Sequence, residues 1–195
     1  VGQCTAEGLG DWFHKSSTKA SSNYGIDKNG RIGLYVEEKN RSWCTSSNAN
    51  DQRAVTIECA SDKAEPYAMH QVVYERLVDL CEDICRRNGK KKLLWFGDKN
   101  KSLNYQPKAD EMLITVHRWF ANKSCPGDWL YARLGDLAAK VTTQLGGGNE
   151  EVIPSGMQAR EFQNLTEAEV VAKVGALFTA DQKKSGILAS VSMAQ

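Results

Sequence analysis

The 195-residue chain has no apolar run near the roughly 18 residues that a membrane-spanning helix needs. It has no excess of charge of either sign: 25 Lys and Arg stand against 24 Asp and Glu, a formal net charge of +1. A balance this even, with no basic stripe, argues against a nucleic-acid binder and against attraction to an anionic membrane. No secretory signal, with its basic start, apolar middle and small-residue cleavage site, opens the sequence. The chain begins at Val1 without Met, as expected of a processed form or a fragment. It has no Cys-x-x-Cys pair, and its six cysteines scatter over positions 4, 44, 59, 81, 85 and 125. Neither a dense disulfide framework nor a four-cysteine structural zinc site is expected from that spacing. Cys81 and Cys85, one turn apart on a predicted helix, read as half-buried core thiols.

What is present suits a folded domain with a small appendage, since 41% of residues are hydrophobic and 25% are charged. Thr5 can cap a short helix reaching Lys15, with Leu9, Trp12 and Phe13 on its apolar face. Residues 24–37 read as a hairpin around Asn29-Gly30, a pair that accepts positive φ at both positions, with Ile32, Leu34 and Val36 alternating after it. Ala54 to Ala60 (AVTIECA) is a second strand, with Val55, Ile57 and Cys59 on one face and Thr56 and Glu58 on the other. Pro66 can open a helix to about Arg87 with a stripe of Val73, Leu77, Leu80, Cys81 and Ile84, ended by Asn88-Gly89. Lys92 to Phe96 is a short strand, and residues 97–110 read as a polar loop. Leu113 to Val116 is a strand that delivers His117, and Asp128 can cap a last helix to about Leu145. Helices and strands intermix, so an α/β domain is expected, with helices packed on a mixed sheet. It closes near Gly146, and residues 146–160 read as a linker. In residues 161–195, Thr166 with Glu169 and Thr179 with Gln182 have capping-box spacing, each before an apolar stripe. That helical segment needs a partner for its stripes, so Gln195 reads as a truncation point within a second domain.

The segment ITVHRWFANKSCPGDWL carries the most chemistry. His117 ends a strand and Cys125 follows eight residues later in a loop, so imidazole and thiolate can converge on one metal ion, and both suit zinc. Glu58, on the polar face of an otherwise apolar strand, must face water, a partner or a cleft. Lys123 stands two residues before Cys125 and can reach a bound oxyanion. Each of these also has a plain reading: an unrelated His and Cys, a solvated strand-end Glu, a surface Lys. A thiol hydrolase built on Cys125 and His117 is another option.

HRWFANKSCPGDWL resembles the closing motif of the zinc-dependent N-acetylmuramoyl-L-alanine amidases of phage endolysins and bacterial autolysins, relatives of the peptidoglycan recognition proteins. AVTIECAS is similar to the family strand that ends in the catalytic Glu, and SSNYGIDKNGRI to its hairpin with an Asp/Asn-Gly turn. The stretches follow the family's order over about residues 1–145. The resemblance implies a central mixed sheet flanked by helices, a zinc ion in a groove, and bacterial peptidoglycan as substrate. The bond cut would be the amide joining the lactyl group of N-acetylmuramic acid to L-alanine. It implies that His117 and Cys125 are zinc ligands and that Glu58 is the acid/base carboxylate. Lys123 would help to hold the oxyanion, and Trp43 and Tyr24 would stand in the groove wall. The family's first zinc ligand, a His at the end of the opening strand, should fall just before Val1. The opening strand is therefore expected to be missing, and the third ligand is left to His14, His70, a neighbouring molecule or residues before Val1. The alternative on the same fold is a peptidoglycan-binding module without catalysis.

NLTEAEVVAKVGALFTADQKKSGILASVSMAQ resembles the opening of an autolysin-type glucosaminidase domain. The resemblance implies a parent enzyme with two wall-cleaving activities. A phage lysin would be made in the cytoplasm and act on the cell wall.

Overall fold

Helix α1, Ala6–His14, starts where Thr5 caps it: the Thr5 hydroxyl accepts from the Gly8 N–H at 3.1 Å. The computed structural model describes residues 2–146, which lie within a unit spanning residues 1–149. Nearly all of the expected linker and the whole helical segment at 161–195 fall outside the described residues.

Strands β1 (Tyr24–Ile26) and β2 (Ile32–Leu34) pair antiparallel, with Tyr24 opposite Leu34. The turn differs from the expected one, because only Gly30 of the Asn29-Gly30 pair takes a positive φ, at +80°. Asp27 organises the turn instead. Its buried carboxylate accepts from the N–H groups of Asn29 (2.8 Å) and Arg31 (2.9 Å) and from Arg31 Nε (2.9 Å). The burial of β2 is also reversed: Ile32 and Leu34 are 43% and 57% exposed. Gly25 and Gly33 face each other across the strands and leave a notch filled from α1 and the chain after β2. A Cβ on Gly25 would lie 2.5 Å from Leu9, and one on Gly33 2.5 Å from the Tyr35 hydroxyl. Tyr35 in turn donates to the Ala6 carbonyl at 2.8 Å.

Strand β3 (Ile57–Cys59) lies parallel to β1, with Glu58 beside Gly25. It is shorter than AVTIECA because Thr56 is drawn into a buried polar knot. Fully buried Asn23 accepts from the Thr56 N–H (2.9 Å) and the Thr56 hydroxyl (3.0 Å), and its own N–H donates back to Thr56 Oγ1 at 3.0 Å. Its amide nitrogen faces the carbonyls of Val36, Glu37 and Asn40 at 3.1–3.3 Å. Ser42 joins through a 2.6 Å contact with the Thr56 hydroxyl.

A short helix α2, Asn48–Asp51, follows Ser47, whose hydroxyl accepts from the Asn50 N–H. Helix α3 runs Gln71–Arg87, five residues later than Pro66 suggested, and Pro66 lies in a turn before it rather than opening the helix. Its buried stripe is as expected, with Val73, Leu77, Leu80 and Ile84 inside, and Gly89 at φ +67° just beyond its end. Strands β4 (Lys92–Leu94) and β5 (Glu111–Leu113) pair in parallel. Between them lies α4, Lys99–Asn104, in the stretch read as loop; the Asp98 carboxylate caps it by accepting from the Lys101 N–H at 2.7 Å. Past β5, His117–Trp119 form one tight turn, and Trp119 stacks on Trp95 with centroids 5.1 Å apart. The expected last helix is two, α5 (Asp128–Tyr131) and α6 (Leu134–Gln144), and Gly127 rather than Asp128 holds the cap position.

The result is a mixed α/β fold whose core joins α3 and α6 to the strands through Ile26, Val73, Leu77, Leu93, Leu137 and Val141. Among the described residues the strands form two sheets, ordered β2-β1-β3 and β4-β5. Removing the Asn23 side chain takes away the acceptor of the Thr56 N–H and the donor to three carbonyls. Asn23→Ala should therefore cost at least about 3 kcal/mol in urea unfolding, against under about 0.5 kcal/mol for exposed Asn40→Ala. A loss below about 1 kcal/mol for Asn23→Ala would show that the knot does not hold β3.

Candidate active site

One cavity of about 700 Å³ is lined by Glu58 from β3, His117 from the turn after β5, and Cys125 from the following loop. Local hydrogen bonds explain why a residue eight positions beyond His117 returns to it. The Arg118 N–H donates to the Cys125 carbonyl at 3.0 Å. The Arg118 guanidinium donates to the Ser124 carbonyl and pairs with Asp128 at 2.9 Å. The Gly127 N–H closes the loop on Ser124 at 2.9 Å. The Cys-Pro-Gly stretch is thus folded back against the turn that carries His117.

A second loop completes the wall. Ser46, held at φ +61°, places its hydroxyl 3.0 Å from His117 Nε2. Buried Asp51 accepts from the Thr45 N–H (3.1 Å), the Thr45 hydroxyl (2.6 Å) and the Cys44 N–H (3.3 Å). The Thr115 hydroxyl donates to Asn50 at 3.1 Å, which ties this loop to the exit of β5. Cys44, Ser46 and Asp51 are not among the residues singled out in the sequence, because the composition of this stretch, rich in Ser and Asn, does not set them apart. The capping spacing of Ser47 before Asn50 was the available signal.

The electrostatics set the protonation states. Burial pushes the Glu58 carboxyl above the ordinary carboxylate value; the residue borders the cavity but its carboxyl is enclosed by protein. Burial, and secondarily the nearby Lys123 charge, lower His117 below the usual 6.5, while Asp51 opposes the shift. Cys125 has surface open to solvent, yet the protein around its sulfur, together with the Glu58 charge, pushes the thiol up to about 12. Burial raises Cys44 and Cys59, which line the same cavity, still more strongly.

The remaining sequence candidates lie elsewhere. Lys123 is exposed, near enough for its charge to act on His117, but it does not line the cavity. Neither do Tyr24 and Trp43. The Tyr24 hydroxyl donates to Glu38 at 2.8 Å, and Glu38 is paired with Arg87. Trp43 is 56% exposed, with the Arg41 guanidinium over its ring. His14 is exposed at the end of α1, and His70 caps α3 with Nδ1 3.2 Å from the Lys28 carbonyl; neither borders the cavity.

His117 and Cys125 fit a zinc ion in donor type and in opening on the same cavity. They fall short in number: among the described residues no group of three His, Cys, Asp or Glu side chains is placed to hold a metal ion.

The sequence profile of the N-acetylmuramoyl-L-alanine amidases matches residues 2–128. The chain belongs to that family. The match spans α1 to the first residue of α5 and takes in Glu58, His117 and Cys125. Peptidoglycan amidase chemistry is therefore the family's activity, and peptidoglycan its substrate. Searches of curated proteins and of solved structures give no match.

The Glu58 shift has a measurable consequence. Its folded pKa exceeds the unfolded value near ~4.3, so the neutral carboxyl's contribution is intact below that value and is lost as pH rises through the folded one. Glu58→Gln, which keeps the neutral shape, should match the wild type in urea unfolding at about pH 4 and exceed it at about pH 8. Equal stability at both pH values would contradict an enclosed carboxyl.

Proposed function

We propose that the chain is a zinc-dependent hydrolase of the amide between the lactyl group of N-acetylmuramic acid and the L-alanine of the stem peptide. The observation that carries this reading is the convergence of Glu58, His117 and Cys125, from three separate segments, on one cavity within the region matched to the amidase family. His117 and Cys125 would hold the metal, which when bound supplies Lewis acidity toward water and carbonyl oxygen.

Each protein group suits its part. His117, lowered below 6.5, is neutral at pH 7 and offers a ring nitrogen. The Cys125 thiol, at about 12, keeps its proton until a cation displaces it, so metal uptake is coupled to proton release. Glu58, raised above the ordinary carboxylate value by burial, can accept a proton from the attacking water and return it to the departing alanine nitrogen. Lys123 would favour the developing oxyanion from the rim. A third metal donor is required for a catalytic site of this kind. Trp43, with its ring in solvent, suits a substrate contact better than Tyr24, whose hydroxyl is occupied by Glu38. Residues 161–195 would add the opening of a glucosaminidase domain, as in a lysin acting on the bacterial cell wall.

The shortage of donors among the described residues favours one rival, a domain that binds peptidoglycan without cutting it. Dye release from labelled cell walls, run beside wall pull-down with zinc present, separates the two. Glu58→Gln should lower dye release by about 10²–10⁴-fold with wall binding retained. Undiminished release would remove Glu58 from the mechanism, and binding without release by the unaltered chain would favour the rival. Zinc titration at pH 7 should release about one proton per chain, and Cys125→Ser should abolish that release. Zinc uptake with no proton release would exclude Cys125 as a ligand.

A further inference from the structure

One edge of the three-stranded sheet is bare and apolar. Among the described residues β2 pairs only with β1. Two backbone bonds show which of its groups face outward. The Asp27 N–H donates to the Arg31 carbonyl and the Tyr35 N–H to the Asn23 carbonyl, both at 2.9 Å. Residues 31, 33 and 35 therefore turn their backbone groups toward β1, and Ile32 and Leu34 turn theirs away from it. The side chains of these two residues share one face of the sheet and stand 43% and 57% exposed. Natural sheets guard such an edge with a proline, a bulge or a charge, or cover it with another element. Residues 31–35 contain no proline and no lysine, their pairing with β1 is unbroken, and Arg31 is bound to Asp27 and Glu7.

The edge is complementary to itself. Two copies set antiparallel about Gly33 bring Ile32 of each opposite Leu34 of the other. Each such pair exchanges both of its N–H···O bonds, so every outward N–H and carbonyl of Ile32 and Leu34 in the two copies finds a partner. At the axis the two glycines form a close pair, with Cα atoms about 4.5 Å apart and no side chains to collide. The Ile32 and Leu34 side chains of both copies then lie side by side on one face. Helix α1 has a matching polarity. It runs in the same direction as β2, because Glu7 near its start is bonded to Arg31 at 2.8 Å and Phe13 near its end packs on Tyr35 with centroids 5.4 Å apart. A two-fold axis at Gly33 reverses the helix of the second copy. The end of α1 that carries Glu7 then lies at the end where the other copy carries His14 and Lys15, and no end meets its like.

We propose that the β2 edge docks a second copy of this chain, β2 against β2, joining the two three-stranded sheets into one across the pair. Only short strands meet, so the association depends on concentration rather than being permanent. Glu58 lies on β3, on the far side of β1 from this edge, so the pairing leaves the cavity free. The inference rests on backbone direction and exposure and does not require the hydrolase reading.

Sedimentation equilibrium of the 195-residue chain between about 10 μM and about 1 mM tests it. The weight-average mass should climb from 21.6 kDa toward twice that value. Hydrogen exchange at the Ile32 and Leu34 amides, followed by NMR, should slow over the same range. Leu34→Lys places a charge in both cross-copy pairs and should weaken association by about tenfold or more. Leu34 is exposed, so the melting temperature in dilute solution should stay as it is. A mass of one chain at every concentration would overturn the proposal. So would association that Leu34→Lys leaves unchanged. Amides at Ile32 and Leu34 protected equally at all concentrations would assign the edge to another part of the same chain and overturn it likewise.

Discussion

Everything at the site depends on where β3 lies, and β3 is placed by one buried side chain. Asn23 bonds to both the backbone and the hydroxyl of Thr56 and gathers the 36–40 loop through its amide nitrogen. A buried amide of this kind is stabilising only while every partner is in place, so the register of β1, β3 and the following loop is fixed together. Glu58 stands two residues beyond Thr56, and the knot thereby sets the position of a residue that borders the cavity. Ser42, drawn into the same knot, anchors the chain that continues to Cys44, Ser46 and Asp51. Position and protonation are thus linked: the packing that fixes Glu58 also removes water from it and raises its pKa.

The opposite wall has a different logic. His117 and Cys125 are brought together by a loop closed on itself, in which Arg118 spends its backbone and its guanidinium on Ser124, Cys125 and Asp128. Such closure needs little of the distant core, which suits a loop that must present a thiol and an imidazole to one space.

Much of this was legible in the sequence where local signals were strong. Thr5 announced α1 and the stripe from Val73 to Ile84 announced α3, while His117 and Cys125, singled out together in the sequence, line one cavity. The failures have physical causes. Asn29-Gly30 suggested a two-residue turn, but the buried Asp27 carboxylate offered three donors a better arrangement. Alternation in Ile32 and Leu34 suggested an inward face, but the glycines at 25 and 33 opened a notch that Leu9 and Tyr35 fill from the other side. The short helices α2 and α4 were hidden by polar composition and showed only through their caps. Asp51 and Ser46 could not be read as site residues, because only tertiary folding carries residues 44–51 to His117.

The most direct test of the account is whether His117 and Cys125 share one ion. The chain carries six cysteines. Alkylation of each by iodoacetamide can be followed by peptide mass spectrometry with and without zinc. The account predicts that zinc shields Cys125 selectively and that His117→Ala removes the shielding. Equal labelling of Cys125 with and without zinc, or shielding that survives His117→Ala, would contradict it.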